Sequence, residues 1–99
     1  MNRAKYIIVE YMGHELPIVF SSLISHFDIG KNNSFRKVIS AGFCEVMGEE
    51  TEKDEDNISV WAGGRSTSLK DDKDNYVVSR GEKDAVLIQR MLRNQHTWG

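Results

Sequence analysis

This chain has little of what holds small secreted domains or metalloproteins together. Its 99 residues contain one cysteine, Cys44, which excludes an internal disulfide framework. Cys44 sits in an apolar strand pattern with no local base to lower its pKa, and it reads as a buried, inert thiol. His14, His26 and His96 lie far apart and none forms a ligand pair at helical spacing, so neither a metal nor another cofactor is expected. No apolar run approaches the roughly 20 residues of a membrane helix. Residues 6–9 are too few for a signal-peptide core and Glu10 interrupts them, so a cytoplasmic location without membrane contact is expected. Catalytic signatures are missing as well. The run Gly64-Arg65-Ser66-Thr67-Ser68 lacks the closing glycine of a nucleophile elbow. The acids gather in loops that read as solvated, not in a shaped site that would tune a pair of carboxylates. The expectation is a protein that is not an enzyme.

What the chain does have is an uneven distribution of charge. Residues 49–56 read E-E-T-E-K-D-E-D, six acids and one base. Residues 71–74 add three acids and one base. Outside these two tracts stand six acids against eleven bases, so a formal net charge of −2 conceals a basic scaffold carrying two acidic loops. That arrangement points to binding. Two tryptophans, three tyrosines and four phenylalanines are enough aromatic surface to argue against a disordered chain. The length allows one domain, residues 1–99, with one modest core.

Residues 5–12 read as a strand rich in β-branched and aromatic side chains, Gly13-His14 as a turn, and residues 15–20 as the returning strand. Pro17 cannot donate to a ladder and assigns that second strand to a sheet edge. Ser21 and Ser22 are N-cap candidates for a helix of about two turns bearing Leu23, Ile24 and Phe27 on one face and stopped by Gly30. Residues 35–47 form the longest strand pattern. Val38, Ser40, Gly42, Cys44 and Val46 share one face and Ile39, Ala41, Phe43 and Met47 the other, as in a central strand covered on both sides. Gly42 marks a bulge or a close backbone approach. After the acidic loop, residues 57–62 resume as a strand. Gly63-Gly64 interrupts it, residues 66–69 continue it past a bulge, and residues 76–78 are a short extended piece. Ser79 and Glu82 have capping-box spacing, opening a final helix with Asp84 near its positive end and a stripe of Ala85, Ile88 and Leu92. The order β-β-α-β-β-α predicts an α+β fold: a four-stranded, mainly antiparallel sheet with the C-terminal helix packed on one face. The other face needs the short helix or a second subunit to cover it, so a homo-oligomer is among the expectations.

Two segments are candidates for contact. The acidic loop, through Glu49, Glu50, Glu52, Asp54, Glu55 and Asp56, would steer association with a basic partner surface. Trp61 is a candidate interface anchor, with core packing as the other reading. The segment Gly63, Gly64, Arg65, Ser66, Thr67 and Ser68 combines flexible backbone, a guanidinium and three hydroxyls, a set able to hold a phosphate, although it is not a Walker A loop. The alternative there is a bulge followed by an exposed strand. Lys31, Arg36, Lys37, Arg65, Lys70, Arg90 and Arg93 are candidates for nucleic-acid contact, but they are scattered along a mildly acidic chain.

The runs Tyr6-Ile7-Ile8-Val9-Glu10 and Glu15-Leu16-Pro17-Ile18-Val19-Phe20 are followed by Val38-Ile39-Ser40-Ala41-Gly42-Phe43. Then comes Gly64-Arg65-Ser66-Thr67-Ser68-Leu69, ahead of a capped helix with Asp84-Ala85. Together these resemble small accessory proteins of bacteriophages and prophages. The resemblance covers most of the chain and rests on structural motifs; the acidic insertion at 49–56 is longer than it leads one to expect. It implies a protein of the bacterial host cytoplasm that binds and blocks host machinery, including antiviral defence, and it assigns no functional residues. The leading expectation is therefore a non-enzymatic inhibitor occupying a host protein surface. The alternatives are a small oligomer capturing a phosphorylated or nucleotide ligand at residues 63–68, and a nucleic-acid-binding accessory protein.

Overall fold

The computed structural model describes residues 2–31, 37–47 and 59–98, the side chains of Asn2 and of residues 95–98 excepted. In chain order the elements are β1 (Asn2–Tyr11), β2 (His14–Phe20), α1 (His26–Gly30), β3 (Lys37–Met47), β4 (Ser59–Gly63), β5 (Arg65–Lys70), β6 (Tyr76–Val78) and α2 (Glu82–Trp98). The fold is α+β. An antiparallel four-stranded sheet runs β2-β1-β3-β4, α2 packs on it, and β5 and β6 form a separate two-stranded sheet.

The β1–β2 hairpin turns on two residues. Met12 and Gly13 both have positive φ, 52° and 80°, and Tyr11 faces His14. That is the primed two-residue turn whose twist suits a hairpin, and it lies one residue earlier than Gly13-His14. β2 is an edge strand, as Pro17 requires. β3 lies centrally between β1 and β4, and its bulge is at Ile39: Ile8 faces Ser40 whereas Val9 faces Val38. The extra residue rotates the start of the strand, so Val38 joins Ala41 on one face instead of Ser40 on the other. Gly42 is the close approach: a Cβ there would stand 2.5 Å from the Gly63 carbonyl oxygen.

Each face of the sheet has its own core. Tyr6, Cys44 and Ala62 pack against Ala85 and Ile88 of α2, with Ala4, Val19, Val60 and Leu92 around them. On the other face Ile7, Val9 and Ala41 meet Leu69 and Val77 of the β5–β6 hairpin, with Ile18, Phe20 and Ile29 alongside. The second cover is thus α1 together with a hairpin that the sequence reading does not contain. Residues 66–69 do not extend β4. Gly64, at φ 80°, turns the chain out of the first sheet, and β5 crosses the sheet face to pair with β6.

Two helix starts differ from expectation. Ser21 Oγ accepts from Leu23 N at 3.2 Å and closes a turn, leaving Leu23 94% exposed. Ser25 is the true cap of α1, its Oγ accepting from Asp28 N at 3.1 Å, and α1 is only five residues long. That start places His26, not Leu23, in the interior. At α2 the reach-back is made by Asp84, whose carboxylate accepts from Arg80 N at 2.9 Å, while Ser79 Oγ accepts from Gly81 N at 2.9 Å. Glu82 is exposed. Among the described residues no helix is long and apolar enough to cross a membrane.

Candidate protein-binding surface

The β5–β6 hairpin and α1 cover only part of their face of the sheet. Cover extends to Phe43, whose ring meets His26 edge-on at 5.7 Å. Beyond Phe43, alternation on β3 brings Glu45 and Met47 to that same face, and pairing adds Arg3 from β1 and Trp61 from β4. These four side chains line a shallow groove of about 250 Å³. Arg3 holds Glu45 through Nε at 3.0 Å, and Met47 and Trp61 stay open at 37% and 47% exposure. The indole lies along its own strand over Gly63, where an added Cβ would come within 2.7 Å of Trp61 Cζ2. Gly63 therefore gives Trp61 a flat bed, and the ring presents its outer side to solvent. An aromatic half-exposed and held by backbone costs little entropy to immobilise, as binding anchors require.

Glu49, Glu50, Glu52, Asp54, Glu55 and Asp56 lie outside the described residues. Their point of attachment is described. Met47 and Ser59, the residues flanking the 48–58 connection, face each other as the last pair of β3 and β4. The acidic tract is therefore tied to the end of the sheet that carries Trp61 and Met47.

Residues 63–68 do not form one concerted loop. Gly63 closes β4 opposite Phe43, and the Gly64 carbonyl accepts from Ser79 N at 3.0 Å. Arg65 and Thr67 are exposed. Ser66 is fully buried, and its Oγ accepts from Ser68 N at 3.2 Å and Leu69 N at 2.7 Å, satisfying amides that the bulge in β5 leaves unpaired. Ser68 Oγ accepts from Phe27 N at 3.1 Å, joining β5 to α1. Two of the three hydroxyls thus accept backbone amides of the chain itself, Ser66 in the interior and Ser68 at the surface. Of the scattered cations, Lys37 and Lys70 border one groove beside Lys73, and Arg90 borders another between β2 and α2. These two grooves have no lining residue in common, and Arg36 lies outside the described residues. The second acidic tract is the β5–β6 connection, ordered by Asp71, whose Oδ1 accepts from Lys73 N and Asn75 N at 2.9 and 3.0 Å.

The densest polar cluster lies under α2. Asp84 is fully buried, and its carboxylate accepts from Tyr6 Oη at 2.6 Å, Arg80 N at 2.9 Å and Arg80 Nε at 2.7 Å. Arg80 reaches on to Glu15 Oε1 of β2 at 2.6 Å. Burial alone would raise the Asp84 pKa; the donors from Tyr6 and Arg80 outweigh it and hold the carboxyl below its usual range. Ser40 Oγ adds polar stabilisation to that carboxylate from nearby, but it is buried without a hydrogen bond of good geometry among the described residues. Burial and the Asp84 carboxylate push the Tyr6 phenol well above its usual value. Tyr6 Oη, Arg80 N and Arg80 Nε all bond that carboxylate, and Arg80 carries the link on to Glu15, so the cluster fastens α2 to β1 and β2. Asp84 was legible only as a helix-dipole residue; the Arg80–Asp84 spacing of four was the available signal of pairing.

His26 is buried between Phe20 and Phe43, and its Nε2–H donates to the Gly42 carbonyl at 2.8 Å. Burial lowers its pKa, the bond to Gly42 opposing this in part, so the neutral ring is favoured. Cys44 is buried against α2, and burial pushes its thiol up to about 11. Among the described residues no three His, Cys, Asp or Glu side chains are grouped as metal ligands would be. No protein-family model, curated protein or solved structure matches this chain.

Proposed function

We propose that this is a non-catalytic binding protein that occupies a basic surface of another protein through Trp61 and its surroundings, steered by the acidic 48–58 connection. The observation that carries the reading is the juxtaposition of the two: the tract with six acids leaves and re-enters the sheet at the Met47–Ser59 pair, beside the open Trp61–Met47 groove. An apolar anchor with a charged flank suits protein recognition, the anchor supplying dwell time and the acids on-rate. The resemblance to phage accessory proteins suggests a bacterial host protein as the partner and inhibition as the consequence, with antiviral defence among the systems blocked. The buried Asp84 cluster supports the reading from the other side, since among the described residues its charges are bonded to one another across α2, β1 and β2 and fasten the fold.

The test replaces Glu49, Glu50, Glu52, Asp54, Glu55 and Asp56 with Ser and, separately, Trp61 with Ala. The charge variant should associate more slowly and lose its salt dependence. Trp61→Ala should dissociate faster, and both variants should melt as the parent does. Unchanged affinity in both would refute the reading.

A further inference from the structure

The two edges of the sheet are built differently. β2 carries Pro17 near its middle and Glu15 tied to Arg80, features that blunt an edge against pairing. β4 reads Ser-Val-Trp-Ala-Gly, with neither proline nor charge, and among the described residues no strand pairs with its outer side. An edge of this kind is a template for another strand. We propose that two copies of this chain associate through β4, antiparallel about a two-fold axis at Trp61, so that the two sheets become one.

The strand is complementary to itself in this register. Val60 faces Ala62 on the α2 side, and Ser59 faces Gly63 on the other, each larger side chain meeting a smaller one. Trp61 meets its own counterpart. Each indole leans along its strand over Gly63, so about a two-fold axis the rings lean in opposite directions and leave the backbones free to close to the ~4.8 Å of a strand pair. Gly64 turns the chain away directly afterwards and ends the pairing at five residues. Charge favours the antiparallel arrangement over a parallel one. Antiparallel pairing sets the two Ser59 ends, which the acid-rich sequence enters, at opposite ends of the joint; parallel strands would bring them together. Because the side chains of β4 stand above the sheet and not in its plane, the dimer leaves Trp61 on the face and merges two open grooves into one surface. The inference does not depend on what that surface binds.

Cysteine replacement tests the geometry. Directly opposite residues on antiparallel strands have Cα atoms about 4.5–5.5 Å apart, within the range a disulfide spans. Trp61→Cys should oxidise to a covalent dimer that retains its far-ultraviolet spectrum, whereas Met12→Cys, at the exposed tip of the first hairpin, should form no covalent dimer. The native Cys44 is buried and does not compete. In sedimentation the parent chain should show a concentration-dependent dimer, and Trp61→Lys, which sets two ammonium groups opposite each other, should be a monomer with the parental far-ultraviolet spectrum and a melting temperature that no longer rises with protein concentration. A parent that sediments as a monomer throughout overturns the proposal and leaves the edge to a foreign strand. Equal cross-linking of the Met12 and Trp61 variants overturns the register.

Discussion

Removing the Asp84 carboxylate should be the most damaging single change to this fold. Asp84→Ala strips three donors at once: Tyr6 Oη, Arg80 N and Arg80 Nε, at 2.6, 2.9 and 2.7 Å. Hydrogen bonds to a charged group contribute about 1.5–3 kcal/mol each when measured singly. They share one acceptor and are not additive, so the applicable scale is that of breaking a buried ion pair, about 3–5 kcal/mol. Arg80 keeps Glu15 as a second acceptor, which sets the expectation at the lower end, about 3 kcal/mol. For a domain of this size that lowers the melting temperature by roughly 12–24 °C. Urea unfolding followed by circular dichroism reads the loss as a shift of midpoint at constant slope. A double-mutant cycle sharpens the test: Tyr6→Phe and Asp84→Asn should each destabilise and together cost less than their sum, with coupling of about 1 kcal/mol or more. A loss below about 1 kcal/mol for Asp84→Ala, or strict additivity in the cycle, would refute the claim that this cluster fastens α2 to the sheet.

Four further outcomes follow from the same geometry. His26 has a folded pKa below its unfolded value of about 6.5, so the unfolded chain takes up the proton first; stability should fall as pH drops below that value and level off once folded His26 also protonates, a slope that His26→Gln removes from urea midpoints measured between pH 7 and 5. The Asp84 contribution has the usual carboxylate sign: present above about pH 4 and lost as pH falls through its lowered folded value. Gly42→Ala forces a Cβ to within 2.5 Å of the Gly63 carbonyl, backbone that cannot swing aside, and should destabilise by about 1–3 kcal/mol in the same assay. Cys44, with its thiol near 11, should resist a thiol reagent in the native protein at neutral pH and react at the unfolding rate once denaturant is present; rapid native labelling would contradict its burial.

The α+β class, the four-stranded sheet, the edge position of β2 and the C-terminal helix were legible because each has a local physical signature. Pro17 forbids a central strand, a run of β-branched and aromatic residues marks β1, apolar or small residues on both faces mark β3, and the Ala85–Ile88–Leu92 stripe marks α2. Where several residues offered the same local chemistry, tertiary context decided. Ser21, Ser22 and Ser25 are all competent caps, and Ser25 prevails because it buries His26 between Phe20 and Phe43. The β5–β6 hairpin escaped because Ser66 conceals it: a serine in the polar run Arg65-Ser66-Thr67-Ser68 reads as surface, yet its hydroxyl accepts from two bulge amides and is buried. The bulge at Ile39 left no mark, since a β-branched residue suits either face. At the candidate surface the acidic tract and Trp61 were each visible as composition. Their proximity was not, because it depends on the pairing of Met47 with Ser59.

Cys44 and the Asp84 cluster are buried, and among the described residues Trp61 is half-exposed on a β4 edge that no other strand pairs. The most direct test of a binding role is native mass spectrometry of the chain recovered from bacterial lysate, comparing the parent with Trp61→Ala. The account predicts a host protein held in fixed stoichiometry by the parent and lost from the variant. A parent that carries no protein but retains a small anionic ligand, equally in both forms, would contradict it and return attention to Arg65.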